Sequence, residues 1–260
     1  MDLPTEHPSG PDSTALRVPP VEPRQRWRLT FARDAVDADA IGRNGIDAWG
    51  KALAASGLAV SGLEAGGVGR PRLAIAAPLP ASCSGLAELA DLWLLERVQL
   101  WVLRESLADH LPPAHQWVGA EDVWLGAPPL PGQVTAAHWR IALVGAPDVE
   151  ELRRAAATVL GSTELPRARP KGPPDRTYDL RPLVEDVTVE RSPDGSVVLS
   201  VVTRSDPALG SGRPEEVVAA LGEAARSGPL EISTIARTRI VLAEPGRSPA
   251  VTPPAGHRRR

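Results

Sequence analysis

Residues 86–111 read LAELADLWLLERVQLWVLRESLADHL. Their helix propensity favours one long helix. A division into a strand over about 87–95 and a helix over about 98–110 fits their length equally well, and Pro112-Pro113 ends the helix in either case. The choice decides the fold, because it sets the element order of everything around the stretch.

Upstream, Gln25 to Arg33 alternates as a strand, with Trp27, Leu29 and Phe31 on one face. Asp39 to Ser56 reads as a helix with Ile46, Trp49 and Leu53 on one face and Gly57 as its stop. Arg72 to Ala77 is a short strand before Pro78, and Gln116 to Leu125 is another, carrying Trp117 and Trp124. Ala127 to Gly132 looks like a Pro/Gly linker. The order then restarts. Ala136 to Val144 is a strand, and Asp148 with Glu151 three residues on is a capping box for a helix that ends at Gly161. After an Arg/Pro loop over Leu165 to Arg176, Leu183 to Arg191 and Val197 to Thr203 form a hairpin about Pro193-Asp194-Gly195. Pro214 opens a helix, and Leu230 to Leu242 is the last strand.

With residues 86–111 divided, each half runs strand–helix–strand–strand–helix–strand, the split βαβ order. The expected fold is therefore α+β: two tandem ferredoxin-like (βαββαβ) halves, over 24–130 and 131–244, each with its own antiparallel sheet and helices on one face. Residues 1–23 and 245–260 are Pro-rich or basic and are expected to be disordered tails.

Composition narrows the function classes. The chain has 260 residues, 42% of them hydrophobic and 23% charged, as in globular proteins. A net charge of −3 gives no general attraction to nucleic acid or anionic membrane. Lys51 and Lys171 are the only lysines, a bias that a GC-rich genome produces. Cys83 is the only cysteine, which rules out an internal disulfide or a multi-thiolate cluster. The start, MDLPTEHPSG, lacks the basic and apolar regions of a signal peptide, and no apolar run approaches the roughly 20 residues of a membrane helix. A cytoplasmic protein without cofactor or metal is expected.

Several features could carry chemistry. Arg167, Arg169, Lys171 and Arg176 make a basic loop that closes on Asp179 and Arg181. Arginine forks match phosphate oxygens, so this loop is a candidate nucleic-acid contact, set against a solvated loop anchored by an Asp179–Arg181 ion pair. Gly210-Ser211-Gly212 before Arg213-Pro214 presents a helix N-terminus to an anion, set against ordinary capping. Gly66 to Arg72 carries Arg70 and Arg72 and could close over a ligand or merely connect helix to strand. Cys83 sits in a turn with no histidine near it in sequence, the context of an incidental thiol. The five histidines show no metal-ligand spacing. All seven tryptophans lie between Trp27 and Trp139; Trp93 and Trp101 are the candidates for a partner-binding surface.

From about Arg24 to Leu242 the chain resembles the radical SAM-linked proteins, a family fused to or encoded beside cobalamin-binding radical SAM proteins. The resemblance rests on Asp179-Leu180-Arg181-Pro182 after the basic loop, on Gly210-Ser211-Gly212-Arg213-Pro214-Glu215-Glu216-Val217, and on Arg237-Thr238-Arg239. It favours the divided reading, with Ala87 to Leu94 as a strand. Two family stretches are altered. Ile41-Gly42-Arg43-Asn44 lacks the His and Asp that members carry at the first helix start. Gly66-Gly67-Val68-Gly69-Arg70-Pro71-Arg72-Leu73 keeps the first Gly and the Pro-Arg-Leu of the family loop and loses its aromatic, Asn, Pro and His. The resemblance implies a non-catalytic partner or substrate-presenting module for a radical SAM enzyme, with RNA as the candidate substrate. The rival readings are an RNA- or phosphate-ligand-acting enzyme using Asp179 with an arginine clamp, and a degenerate paralogue with only an assembly role.

Overall fold

The computed structural model describes residues 21–36, 45–64, 67–168, 177–226 and 228–244. Alternation makes β1 (Gln25–Arg33) a strand with Trp27, Leu29 and Phe31 packed into one core, and α1 (Gly45–Ala55) lays Trp49 and Leu53 over them. Gly57, at φ 71°, terminates the helix region. β2 (Leu73–Ile75) is short. The deciding stretch divides into β3 (Ser84–Leu94) and α2 (Leu100–Leu107). β3 is covered on both faces: Ala90, Leu92 and Leu94 join the helix-side core, while Asp91 and Trp93 are buried on the other side. A strand buried on both faces loses its polar alternation and so imitates a helix in sequence. β4 (His115–Val123) completes this half.

The second half runs β5 (Val134–Leu143), α3 (Val149–Gly161), a small hairpin of β6 (Pro166–Ala168) and β7 (Thr177–Asp179), then β8 (Val184–Arg191), β9 (Val197–Asp206), β10 (Gly210–Ser211), α4 (Pro214–Ala225) and β11 (Ile232–Leu242). The Asp148 carboxylate caps α3, accepting from the Glu150 and Glu151 N–H groups. At the entry to α4, Gly212 passes so close to the turn before β8 that an added Cβ would lie 2.6 Å from the Leu183 carbonyl oxygen. That close approach explains the glycine without any ligand.

The fold is a mixed α+β arrangement: among the described residues, four α-helices and a large, mostly antiparallel sheet. Along one half the strands lie in the order β4-β1-β3-β2, along the other β11-β5-β9-β8. The two separate sheets expected from sequence are in fact one nine-stranded sheet. β2 covers only the Ala90–Leu92 part of the β3 edge, and β11 takes the free remainder in parallel, pairing Ala236 and Arg237 with Ser84 and Gly85. Two helix-side cores result, one per half, with the Glu88–Arg237 ion pair buried between β3 and β11.

The segment expected to be a linker packs over the far face of the sheet. Leu130 is fully buried against Ala76 and Ile240, and Arg26 donates to the Ala127 and Pro128 carbonyls at 2.6 and 2.9 Å. Beneath it Arg26 and Arg28 converge on Asp91, and the guanidinium groups of Arg26 and Arg72 both lie over the Trp93 ring, 4.8 and 4.7 Å from its centre. Trp93 is therefore a core residue and not part of a partner surface, whereas Trp101 is exposed. Among the described residues no helix is long and apolar enough to cross a membrane.

Candidate functional site

A cavity of about 1340 Å³ opens on the helix side of the first half, where β1 ends and α1 begins. Its back wall is Phe31, Trp49 and His115, three rings in mutual edge or tilted contact with centres 5.2–5.6 Å apart. The loop before β2 supplies Gly67, Gly69, Arg70 and Pro71. This loop is not a loose connection. Leu63 bridges Gly69, Glu64 N–H donates to the Val68 carbonyl at 2.8 Å, and a Cβ on Gly62 (φ 85°) would meet the Arg70 carbonyl oxygen. The loop is therefore held by its own backbone in a shape only glycine permits.

The floor is charged. Glu88 accepts from Arg237 Nε at 2.9 Å and from its Nη2, and Arg237 also donates to the Ala77 carbonyl at 2.9 Å, fixing the chain after β2. Arg33 donates to the carbonyls of Leu79, Pro80 and Cys83, and its buried Nε has no partner among the described residues. Burial lowers the Arg33 pKa, opposed by the nearby Glu88 carboxylate. His115 enters through a tight turn. Ala114 has a left-handed φ of 62°, the His115 N–H donates to the Pro112 carbonyl, and Nδ1 lies 2.9 Å from the Pro113 carbonyl. That contact places the ring proton on Nδ1 and leaves Nε2 as an acceptor.

Burial also pushes the His115 pKa below the ordinary histidine value. The unfolded chain then binds a proton near pH 6.5 that the folded chain still refuses. Stability is accordingly expected to fall as pH drops through about 6.5, and His115→Gln is expected to flatten that part of a Tm-against-pH curve. An unchanged curve in the variant would show that His115 titrates alike in both states.

The sequence candidates separate. Arg70 lines the cleft, while Arg72 turns to the far face and stacks on Trp93. Arg169, Lys171 and Arg176 lie outside the described residues. Arg167 binds both carboxylate oxygens of Glu223 on α4, at 3.1 and 3.0 Å. Arg213 is the residue before α4, exposed and 3.8 Å from Glu216. Asp179 and Arg181 do not form the ion pair weighed above. Asp179 Oδ1 accepts the N–H groups of Leu165 and Arg181 at 2.7 and 3.0 Å, and the Arg181 guanidinium donates to the Leu160 and Val184 carbonyls. Cys83 is fully buried in the second core, where burial and then the Glu215 carboxylate raise its pKa, so it is a poor nucleophile. Sequence reasoning gave no role to His115, Arg33 or Glu88; their signal is spatial, since they come from three separate strands.

Asp179→Ala is expected to cost about 1–3 kcal/mol by leaving two N–H groups without their acceptor, read as a lower urea midpoint at constant slope. Asp179→Asn keeps an acceptor oxygen and is expected to lose less than half of that.

Residues 65–210, more than half of the chain, match the model of a family described as an uncharacterized protein conserved in bacteria, DUF2344. The chain belongs to the DUF2344 family. The matched region of this DUF2344 protein begins at the cleft loop and runs through the hairpin to β10. No curated protein matches the chain. Among solved structures, it is similar to a chain of a Cbf5-Nop10-Gar1 complex at 12% identity and TM-score 0.46, covering 82% of this chain and 48% of that one. It is also similar to a DypB variant in complex with manganese at 12% identity and TM-score 0.22, covering 86% and 96%. At these scores neither likeness carries an argument.

Proposed function

We propose that this DUF2344 protein is a ligand-presenting partner of a radical SAM enzyme, without radical chemistry of its own, and that the first-half cleft holds what it presents. The observation that carries the reading is a convergence. The loop altered relative to the radical SAM-linked proteins lines the cleft through Gly67 to Pro71, and the helix that follows the other altered stretch lines it from Gly45 to Lys51. The altered loop, and the helix next in sequence to the other altered stretch, thus line one cavity. Each half is read as a ferredoxin-like unit, on the support of the 4-1-3-2 strand order in both. The lone cysteine cannot hold an iron–sulfur cluster, so the radical would come from the partner.

The test is co-purification of the full chain with the radical SAM protein encoded beside it. A stoichiometric complex that Arg70→Glu leaves intact supports a presenting role with the cleft free for ligand. Absence of any complex sinks the partnership. If what the cleft presents belongs to an RNA, Arg169, Lys171 and Arg176, which lie outside the described residues, are candidate contacts for its phosphates. RNA affinity is then expected to fall steeply with salt and to weaken when Arg169 and Arg176 are neutralised.

A further inference from the structure

We propose that the first-half cleft binds a small organic anion with a substantial apolar body, its charge held at the rim by Arg70 and Lys51 and a donor group held by His115 Nε2. The inference rests on the cleft being the ligand site and adds the class of ligand.

Size comes first. About 1340 Å³ is far more than a few waters or an inorganic ion fill, and exceeds the roughly 300–1,000 Å³ of most pockets that take organic molecules, so the site has room for a sizeable one. Most of the lining is apolar, including Val36, Ile46, Ile75, Leu79 and the prolines 112 and 113. A fully polar ligand would leave that surface unpaid in contact with water.

Charge comes second. Arg33, Lys51 and Arg70 line the cleft against Asp47 and Glu88, and Glu88 is already neutralised by Arg237. The excess is positive. The half-buried Arg33 commits its Nη groups to carbonyls, so it contributes field more than contact, while the exposed Lys51 and Arg70 have no charged partner among the described residues and can meet an anionic group.

His115 sets the orientation. Its ring is fixed from three sides, by the Pro113 carbonyl, by Phe31 and by Trp49, and it follows a non-glycine residue held at positive φ. Such a conformation costs about 1–3 kcal/mol and persists where the surroundings impose it. The result is an imidazole held on the wall of an apolar, electropositive cavity, its Nε2 without a hydrogen-bond partner among the described residues. That combination selects a ligand with a negative end, an apolar middle and one N–H or O–H.

The probe for the test is 1-anilinonaphthalene-8-sulfonate, which has all three features, titrated by fluorescence into the full chain. Saturable one-to-one binding is expected. The double variant Lys51→Glu with Arg70→Glu is expected to weaken it about tenfold or more, and Trp101→Ser with Trp124→Ser, on exposed positions outside the cleft, is expected to leave it unchanged. The His115 imidazole resonances of the unmodified protein should shift with saturation, a readout that needs no folded variant. Non-saturable binding, binding insensitive to the rim reversal, or binding lost with the two tryptophans overturns the proposal. Binding at the cleft without any radical SAM complex would remove the partnership and keep this inference; a complex without probe binding would do the reverse.

Discussion

Asp91→Ala is expected to destabilise the protein by about 3–5 kcal/mol, a large part of the roughly 5–15 kcal/mol that a folded domain has. Asp91 is fully buried on the far face of β3. One oxygen accepts from Arg26 Nε at 3.0 Å and from Arg26 Nη2, and from Arg28 Nη2 at 3.2 Å; the other accepts from Arg28 Nε at 2.9 Å. A single carboxylate thus serves two guanidinium groups on residues only 1% and 8% exposed. Glu121 gives Arg28 a second, looser partner at 3.9 Å, but among the described residues Arg26 has no other carboxylate and donates otherwise to the Ala127 and Pro128 carbonyls. Removing Asp91 leaves a buried cation without a counter-charge, and that desolvation cost far exceeds the lost hydrogen bonds. Urea unfolding reads the effect as a lower midpoint at unchanged slope. A loss under about 1 kcal/mol would mean that water reaches the cluster and screens it as it would a surface pair. Because Arg26 also clamps the segment after β4, proteolysis near Ala127 is expected to rise in the variant.

That cluster also shows where the sequence stops being legible. The alternation in β1 places Trp27, Leu29 and Phe31 on one face, and the structure agrees. The same alternation assigns Arg26 and Arg28 to solvent, because a strand with one apolar face is normally wet on the other. What covers them arrives about a hundred residues later, as a Pro/Gly stretch with the composition of a linker. Local pattern carries the helix cap at Asp148 and the hairpin of β8 and β9, whereas it leaves the division of residues 86–111 open, and only the family resemblance favours it. It does not carry the β11–β3 junction. Pro78 foretells that β2 is short, but not which strand takes the edge that β2 leaves open. The cleft fails to appear for the same reason. Arg70 is visible as a basic residue in a glycine-rich loop, whereas Arg33, Glu88 and His115 have meaning only once β1, β3 and β4 lie side by side.

Arg237→Ala tests that junction directly and is expected to cost about 3–5 kcal/mol. Arg237 is 3% exposed and donates through Nε and Nη2 to Glu88, itself 2% exposed. Its ring neighbour is Trp139, 5.4 Å away, and its remaining donors reach the Ala77 and Pro78 carbonyls at 2.9 and 3.4 Å. One side chain therefore joins the last strand of the second half to β3 of the first and to the floor of the cleft. Truncation leaves Glu88 as a buried anion with only the field of Arg33 to offset it. The double variant Glu88→Leu with Arg237→Met separates stability from shape. Replacing a buried pair with apolar groups of similar volume is commonly neutral or stabilising, so its urea midpoint should return to near that of the parent. The Ala77 and Pro78 carbonyls nevertheless stay without their donor, and the chain between β2 and β3 loses its tether. Binding of the naphthalenesulfonate probe is accordingly expected to remain weakened in the double variant despite restored stability. If stability and binding recover together, the ion pair holds the sheet and has no part in shaping the cleft; if only stability recovers, Arg237 positions the floor on which the ligand rests.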